Sequence, residues 1–169
     1  MTPFGHLYGD NRTVTPLNAR PRILVLCTHN SARSQMTEGW LRRFLPAADV
    51  WSAGIEKTQV KPEAIQVMAE EGIDLSDHCS KTLYDLPDPW EFDLVLTVCD
   101  EANAACPNYP AGTVRLHVSI PDPSGKPLAE WRRVRGMLER LSRQLALAAK
   151  SNRWPTATEL SQATHVGEE

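Results

Sequence analysis

Cys27 is followed six positions later by Arg33 and then by Ser34, within Cys27-Thr28-His29-Asn30-Ser31-Ala32-Arg33-Ser34. A thiolate is a nucleophile, and a planar guanidinium grips a tetrahedral oxyanion with two parallel N–H donors, so this pair suits attack on a bound oxyanion. Spacing alone is a weak signal. Its neighbours strengthen it: Ile23 to Leu26 is an apolar run of the kind that forms a buried strand, and Met36, Trp40, Leu41 and Phe44 return at helical spacing. Residues 27 to 34 are then a tight strand-to-helix turn, which gathers backbone N–H groups and a helix N-terminus at one spot. That environment attracts an anion and favours the thiolate. The plain alternative is a buried core thiol at a strand end.

Three further cysteines, Cys79, Cys99 and Cys106, are spaced without a Cys-x-x-Cys pair or paired zinc ligands. Cys99 ends a third apolar strand as Cys27 ends the first, and Cys106 closes a short alanine-containing helix. In an open parallel sheet ligands sit beyond the carboxyl ends of the strands, which singles out Cys27, Cys99 and the loop after the fourth strand. That loop holds Pro121-Asp122-Pro123, where Asp122 on local sequence alone reads as a turn residue before proline. Asp88-Pro89 is the same dipeptide ahead of the third strand, in the wrong place. Asn30 suits a left-handed turn and Ser34 a hydrogen bond to Cys27. Cys79 and His78 have no assigned role.

The elements that must position these groups can be placed along the chain. Strands are expected over residues 23–26, 48–54, 92–98 and 113–118, and helices over 34–44, 62–71, 100–105 and 128–150. Pro62 suits the first position of the second helix and Gly72 its stop. Trp131, Val134, Leu138, Leu141, Leu145 and Ala148 give the last helix one apolar stripe. Residues 1–21 read as an N-terminal extension, 22–150 as one domain, and 151–169 as a polar tail with at most a short turn near 158–162. A helix between two strands is a βαβ unit, so the class is α/β with a parallel sheet.

The chain has 169 residues, 41% of them hydrophobic, with a net charge of -3. That suits a single core and gives no electrostatic footprint for nucleic acid or an anionic membrane. The N-terminus has no continuous apolar run, so a cytoplasmic location is expected, where free cysteines serve thiol chemistry more often than structure.

The segment from Cys27 to Ser34 resembles the signature of the low-molecular-weight tyrosine phosphatase fold, and Gln35-Met36-Thr37-Glu38-Gly39 narrows the resemblance to that superfamily's arsenate reductases. It spans roughly residues 22 to 149. Cys99 and Cys106 stand where the thioredoxin-coupled members have two more redox cysteines. The resemblance implies a three-layer sandwich, a four-stranded parallel sheet with helices on both faces. It also implies a relay: Cys27 attacks arsenate, Cys99 attacks the adduct and releases arsenite, and Cys106 attacks the Cys27–Cys99 disulfide. A Cys99–Cys106 disulfide is left for thioredoxin, the external reductant. By the same resemblance Arg33 and residues Thr28 to Ser34 bind the oxyanion, Asp122 is the general acid, and phosphate or sulfate compete. No bound cofactor and a monomer are expected.

His29 departs from the family, which more usually has glycine there. Some members bind a monovalent cation with residues matching Asn30, Glu38 and Ser52 and an acidic residue where this chain has Lys81, so the ammonium would replace the cation and no metal is expected. Two other functions use the same groups: a phosphatase acting on phosphotyrosine or small phosphate esters through Cys27, and a non-catalytic oxyanion or arsenite sensor.

Overall fold

Ile23 to Leu26 and Leu94 to Leu96 have no solvent exposure at any position. Because successive strand residues point to opposite sides, both faces of these two strands must be covered, as in a parallel sheet between helical layers. The computed structural model describes residues 17–166 and shows this arrangement. Four parallel strands, β1 (Arg22–Cys27), β2 (Asp49–Gly54), β3 (Leu94–Thr97) and β4 (Val114–His117), lie in the order β2-β1-β3-β4. Ile23 is the register partner of both Val50 and Leu94, which puts β1 and β3 in the middle. The edge strand β4 exposes Val114 and Arg115.

The helices are α1 (Arg33–Phe44), α2 (Pro62–Ala69), α3 (Asp100–Ala105), α4 (Leu128–Lys150) and α5 (Ala157–Thr164), with a short 3-10 turn at Leu83–Asp85. The apolar stripe of α4 buries Trp131, Val134, Leu138, Leu141 and Leu145 completely, and this helix packs on α1 and α2. In contrast, α3 packs on β1 and β3. None of these helices is long and apolar enough to cross a membrane.

The α/β class with a four-stranded parallel sheet is as expected, with element ends that differ by a residue or two. Strand β3 covers Leu94–Thr97 rather than 92–98, and α2 stops at Ala69 because Gly72 (φ 76) and Ile73 bond back to Ala69 and Met68 and close the turn. The tail is a correction. Instead of at most a turn, residues 157–164 form α5, capped by Thr156 and Glu159 in a reciprocal capping box. Leu160 is fully buried and the helix packs on α4, where Arg140 donates to the Thr164 carbonyl. The extension expected over 1–21 lies largely outside the described residues; within them, Leu17 and Asn18 bond to Asn152 and Asp93.

Candidate active site

The chain leaves β1 for β2 on one side and returns to β3 on the other, so the strand order reverses between β1 and β3 while all strands stay parallel. Such a switch point leaves a crevice. Cys27 is the last residue of β1, Cys99 follows β3 by two residues, and the loop after β4 carries Asp122 over the same edge.

Between Cys27 and α1 the loop carbonyls are each satisfied from outside the turn. Thr28 O accepts from Ile55 and Glu56 N–H, Ser31 O from Lys61 N–H, His29 O from the Ser80 hydroxyl, and Asn30 O from the Gln35 amide. With the carbonyls committed outward, the N–H groups remain to face an anion. Helix α1 starts without a side-chain cap, which leaves its first N–H groups for the same anion. Gly54 makes the loop's position possible: a Cβ there would sit 2.8 Å from both Asn30 N and Thr28 O.

The loop's one left-handed residue is Asn30, at φ 51. His29 is not among the positive-φ residues, so the position where the family more usually has glycine needs no glycine freedom here. The fully buried Asn30 donates to Ser34 Oγ at 2.8 Å and to Ser52 Oγ at 2.9 Å. Ser34 Oγ lies 2.9 Å from Cys27 Sγ. Since the Ser34 oxygen already accepts from Asn30, its own proton is free for the Cys27 sulfur. The Asn30 side-chain oxygen accepts from Gln35 Nε2 at 2.9 Å, and the Gln35 oxygen faces His78 Nδ1 at 2.9 Å, so His78 donates. Four side chains thus brace Cys27 from behind. Burial holds His78 below its ordinary pKa despite Glu38 nearby, which keeps it a neutral member of the chain.

Cys27, Ser31, Arg33, Lys61, Asp122 and Ser124 line a cavity of about 200 Å³ over the loop. Arg33 Nη1 donates to Ile120 O at 2.8 Å and its Nη2 lies 3.7 Å from Asp122 Oδ2. Burial pushes the Asp122 carboxyl up, but hydrogen bonds from Ser124 and the charges of Arg33 and Lys61 outweigh this and leave it below its ordinary value. Asp122 is therefore ionised at neutral pH before any substrate arrives.

Cys99 is buried at the N-cap of α3, where its sulfur accepts from Ala102 N–H at 3.4 Å. The hydroxyl of Thr28, the residue after Cys27, lies 3.1 Å from Cys99 Sγ. Cys106 is the C-cap of the same helix, partly buried, and burial raises its pKa against a smaller opposing effect of Arg115. All of Cys27, Arg33, Asp122 and Cys99 thus gather at the β1/β3 crevice, with Cys106 one short helix away. Cys79 is exposed, and among the described residues no cluster of metal-ligating side chains forms. Asp88 (φ 48) stays in a turn before β3, where its carbonyl accepts from Arg22.

Asn30, Glu38, Ser52 and Lys81, the positions considered for a monovalent cation, are joined to one another. Ser52 Oγ donates to Glu38 Oε1 at 2.5 Å, Glu38 Oε2 pairs with Arg42 at 2.7 Å, and Lys81 N–H donates to Asn30 while its ammonium lies 3.4 Å from Cys79 O. Sequence reasoning missed Lys61 and Ser124 in the cavity and His78 behind the loop. Lys61 had one usable cue, its place just before Pro62 at a helix start; nothing local marks the other two.

Residues 22–154 match the family model described as low molecular weight phosphotyrosine protein phosphatase. The chain is 46% identical over 116 residues to the arsenate reductase of Staphylococcus aureus strain Newman, which covers 67% of this chain and 86% of that protein. Among solved structures it is similar to the arsenate reductase from Archaeoglobus fulgidus DSM 4304, at 30% identity with a TM-score of 0.63 over 73% of this chain and 98% of that one. It also resembles a YwlE arginine phosphatase with a phosphorylated active-site serine, at 26% identity with a TM-score of 0.66 over 78% of this chain and 97% of that one. The strand-to-helix turn between β1 and α1, with Cys27 and Arg33 lining one cavity, and the family match over residues 22–154 lead to one conclusion: this protein belongs to the low molecular weight phosphotyrosine protein phosphatase family.

Proposed function

We propose that this protein reduces arsenate to arsenite through a three-cysteine relay regenerated by thioredoxin. The observation that carries the reading is the placement of Cys99 against Thr28 beside the nucleophile, with Cys106 at the other end of the same helix. The arsenate reductases among its relatives support it. Phosphate-ester hydrolysis uses Cys27, Arg33 and Asp122 and has no use for two more thiols.

In the first step the Cys27 thiolate attacks arsenic while Arg33 and the loop N–H groups hold the oxygens. A sulfur–arsenic bond forms, and Asp122 protonates the departing oxygen, which leaves as water. Asp122 enters ionised, so its proton arrives with the substrate, whose negative charge offsets the Arg33 charge that keeps the carboxyl ionised. In the second step the Cys99 thiolate attacks Cys27 Sγ. The sulfur–arsenic electron pair stays on arsenic, reducing it from the +5 to the +3 state, and arsenite leaves behind a Cys27–Cys99 disulfide. Cys106 then attacks Cys99 Sγ, frees the Cys27 thiolate and forms a Cys99–Cys106 disulfide. A dithiol such as thioredoxin returns both to thiols.

A phosphatase reading shares the first step and is favoured by the likeness to the arginine phosphatase structure. Arsenate-dependent oxidation of a thioredoxin and thioredoxin reductase system, compared with glutaredoxin and glutathione, separates the two. Cys27→Ser should abolish turnover, and Cys99→Ser should stop after one adduct while leaving any hydrolysis of a phosphate ester intact. Multiple turnovers of arsenate by the Cys99→Ser protein would overturn the relay.

A further inference from the structure

Two cationic side chains, Arg33 and Lys61, line the cavity over Cys27. Arg33 is engaged with Ile120 O and Asp122. At the rim His29 pairs with Glu56 at 3.1 Å, and Lys57 with Asp85 at 3.7 Å. Lys61 lines the cavity, yet makes no salt bridge among the described residues. It also lines an adjoining hollow of about 450 Å³ beside residues 58 to 62. Its backbone is fixed from both sides, since its N–H donates to Ser31 O at 2.8 Å and its carbonyl accepts from Ala64 N–H at 3.0 Å. The first of these bonds ties it directly to the anion-binding loop.

We propose that Lys61 is a substrate-binding residue that gives the oxyanion its second cationic contact and sets a preference for doubly charged tetrahedral anions. The charges make the case. Arg33 and Lys61 contribute two positive charges and ionised Asp122 and the Cys27 thiolate two negative, so the empty cavity is neutral only with Lys61 present. A dianion entering with one proton for Asp122 then meets a net +1; with Lys61 removed it meets no net positive charge at all. An ammonium on a flexible stem can follow the anion as bonds change, while the planar Arg33 fork fixes its orientation. The exposed stem of Lys61 has little packing to lose, so its substitution acts on binding rather than on the fold. This inference rests on the loop being an oxyanion site and does not depend on which oxyanion reacts.

The test measures binding apart from turnover. Inorganic phosphate, and separately chloride, are titrated against iodoacetamide alkylation of Cys27, followed by peptide mass spectrometry. In Lys61→Met, half-protection should need about tenfold more phosphate, with chloride unchanged, whereas Lys61→Arg should stay near wild type. The arsenate KM of Lys61→Met should rise in parallel, with the change carried by KM rather than kcat. Lys61→Gln serves as a second neutral variant should the methionine protein fold poorly. Wild-type phosphate protection in both neutral variants would overturn the assignment. If wild-type protein reduces no arsenate but its phosphate protection depends on Lys61, the reductase reading falls and this inference stands.

Discussion

Cys99 and Cys106 cap opposite ends of α3: the Cys99 sulfur accepts the Ala102 N–H at the helix start, and the Cys106 N–H bonds Asn103 O at its end. Seven residues at about 1.5 Å each separate their Cα atoms by roughly 10 Å, while a disulfide needs roughly 4.4–6.8 Å. The two can join only if the helix opens. Holding it closed are the Asp100–His117 pair at 2.9 Å and the Arg115 contacts to Asn103 at 3.3 Å. A six-residue helix has little stability of its own, and Pro107 blocks its extension. Hydrogen exchange should therefore show Asn103 to Cys106 losing protection in the Cys99–Cys106 oxidised protein while α4 and the central strands keep theirs. Equal protection in both states, with the disulfide confirmed, would refute the opening.

Arg33→Lys should lower single-turnover adduct formation by roughly 10²-fold or more, the usual scale for losing an oriented oxyanion donor. The ammonium keeps the charge but cannot hold Ile120 O, 2.8 Å from Nη1, and an oxyanion in one plane. Rates equal to wild type would show that charge alone is enough.

Asp122→Asn should slow adduct formation by roughly 10²–10⁴-fold and leave the unfolding midpoint nearly unchanged, because the Asp122 side chain is 54% exposed. The depressed pKa also predicts a proton balance. Phosphate binding at neutral pH, measured by calorimetry in buffers of different ionisation enthalpy, should take up more protons in wild type than in Asp122→Asn. Identical uptake would place the acid elsewhere.

Glu70 ties the end of α2 to α4 through Arg132 at 2.8 Å and Arg135 at 2.6 Å. These hydrogen bonds hold its pKa at about 2 instead of the ordinary 4.5. A carboxyl with a lowered folded-state pKa stabilises the fold fully above its ordinary value and loses that contribution as pH falls towards 2. The urea midpoint of Glu70→Gln should therefore lie below wild type at pH 7, modestly because the pair is solvent-screened, and the two should converge as the pH approaches 2. A constant gap down to low pH would mean that the charge is not the cause.

The sequence by itself determined the strand-to-helix turn from Cys27 to Ser34, because a buried strand, a cysteine, an arginine six residues on and a helical stripe are all local features. It also determined α3 and its flanking cysteines, and the left-handed Asn30, whose amide tolerates φ 51. The turn expected near 158–162 is in fact the helix Ala157–Thr164, for which Thr156 and Glu159 spell a capping box; a polar stretch of eight helical residues is marginal alone, and burial of Leu160 against α4 decides it. Lys61 and His78 reach the site from distant elements, while Ser124 comes with the loop that carries Asp122. His78 is 43 residues from Gln35, and only the packing of the 73–80 connector behind the loop sets their 2.9 Å contact. Periodicity and capping are encoded within a few residues, so they could be read from the chain. Which side chains share a 200 Å³ cavity depends on the strand order β2-β1-β3-β4 and the loops it brings to one edge, and that order is fixed by long-range burial.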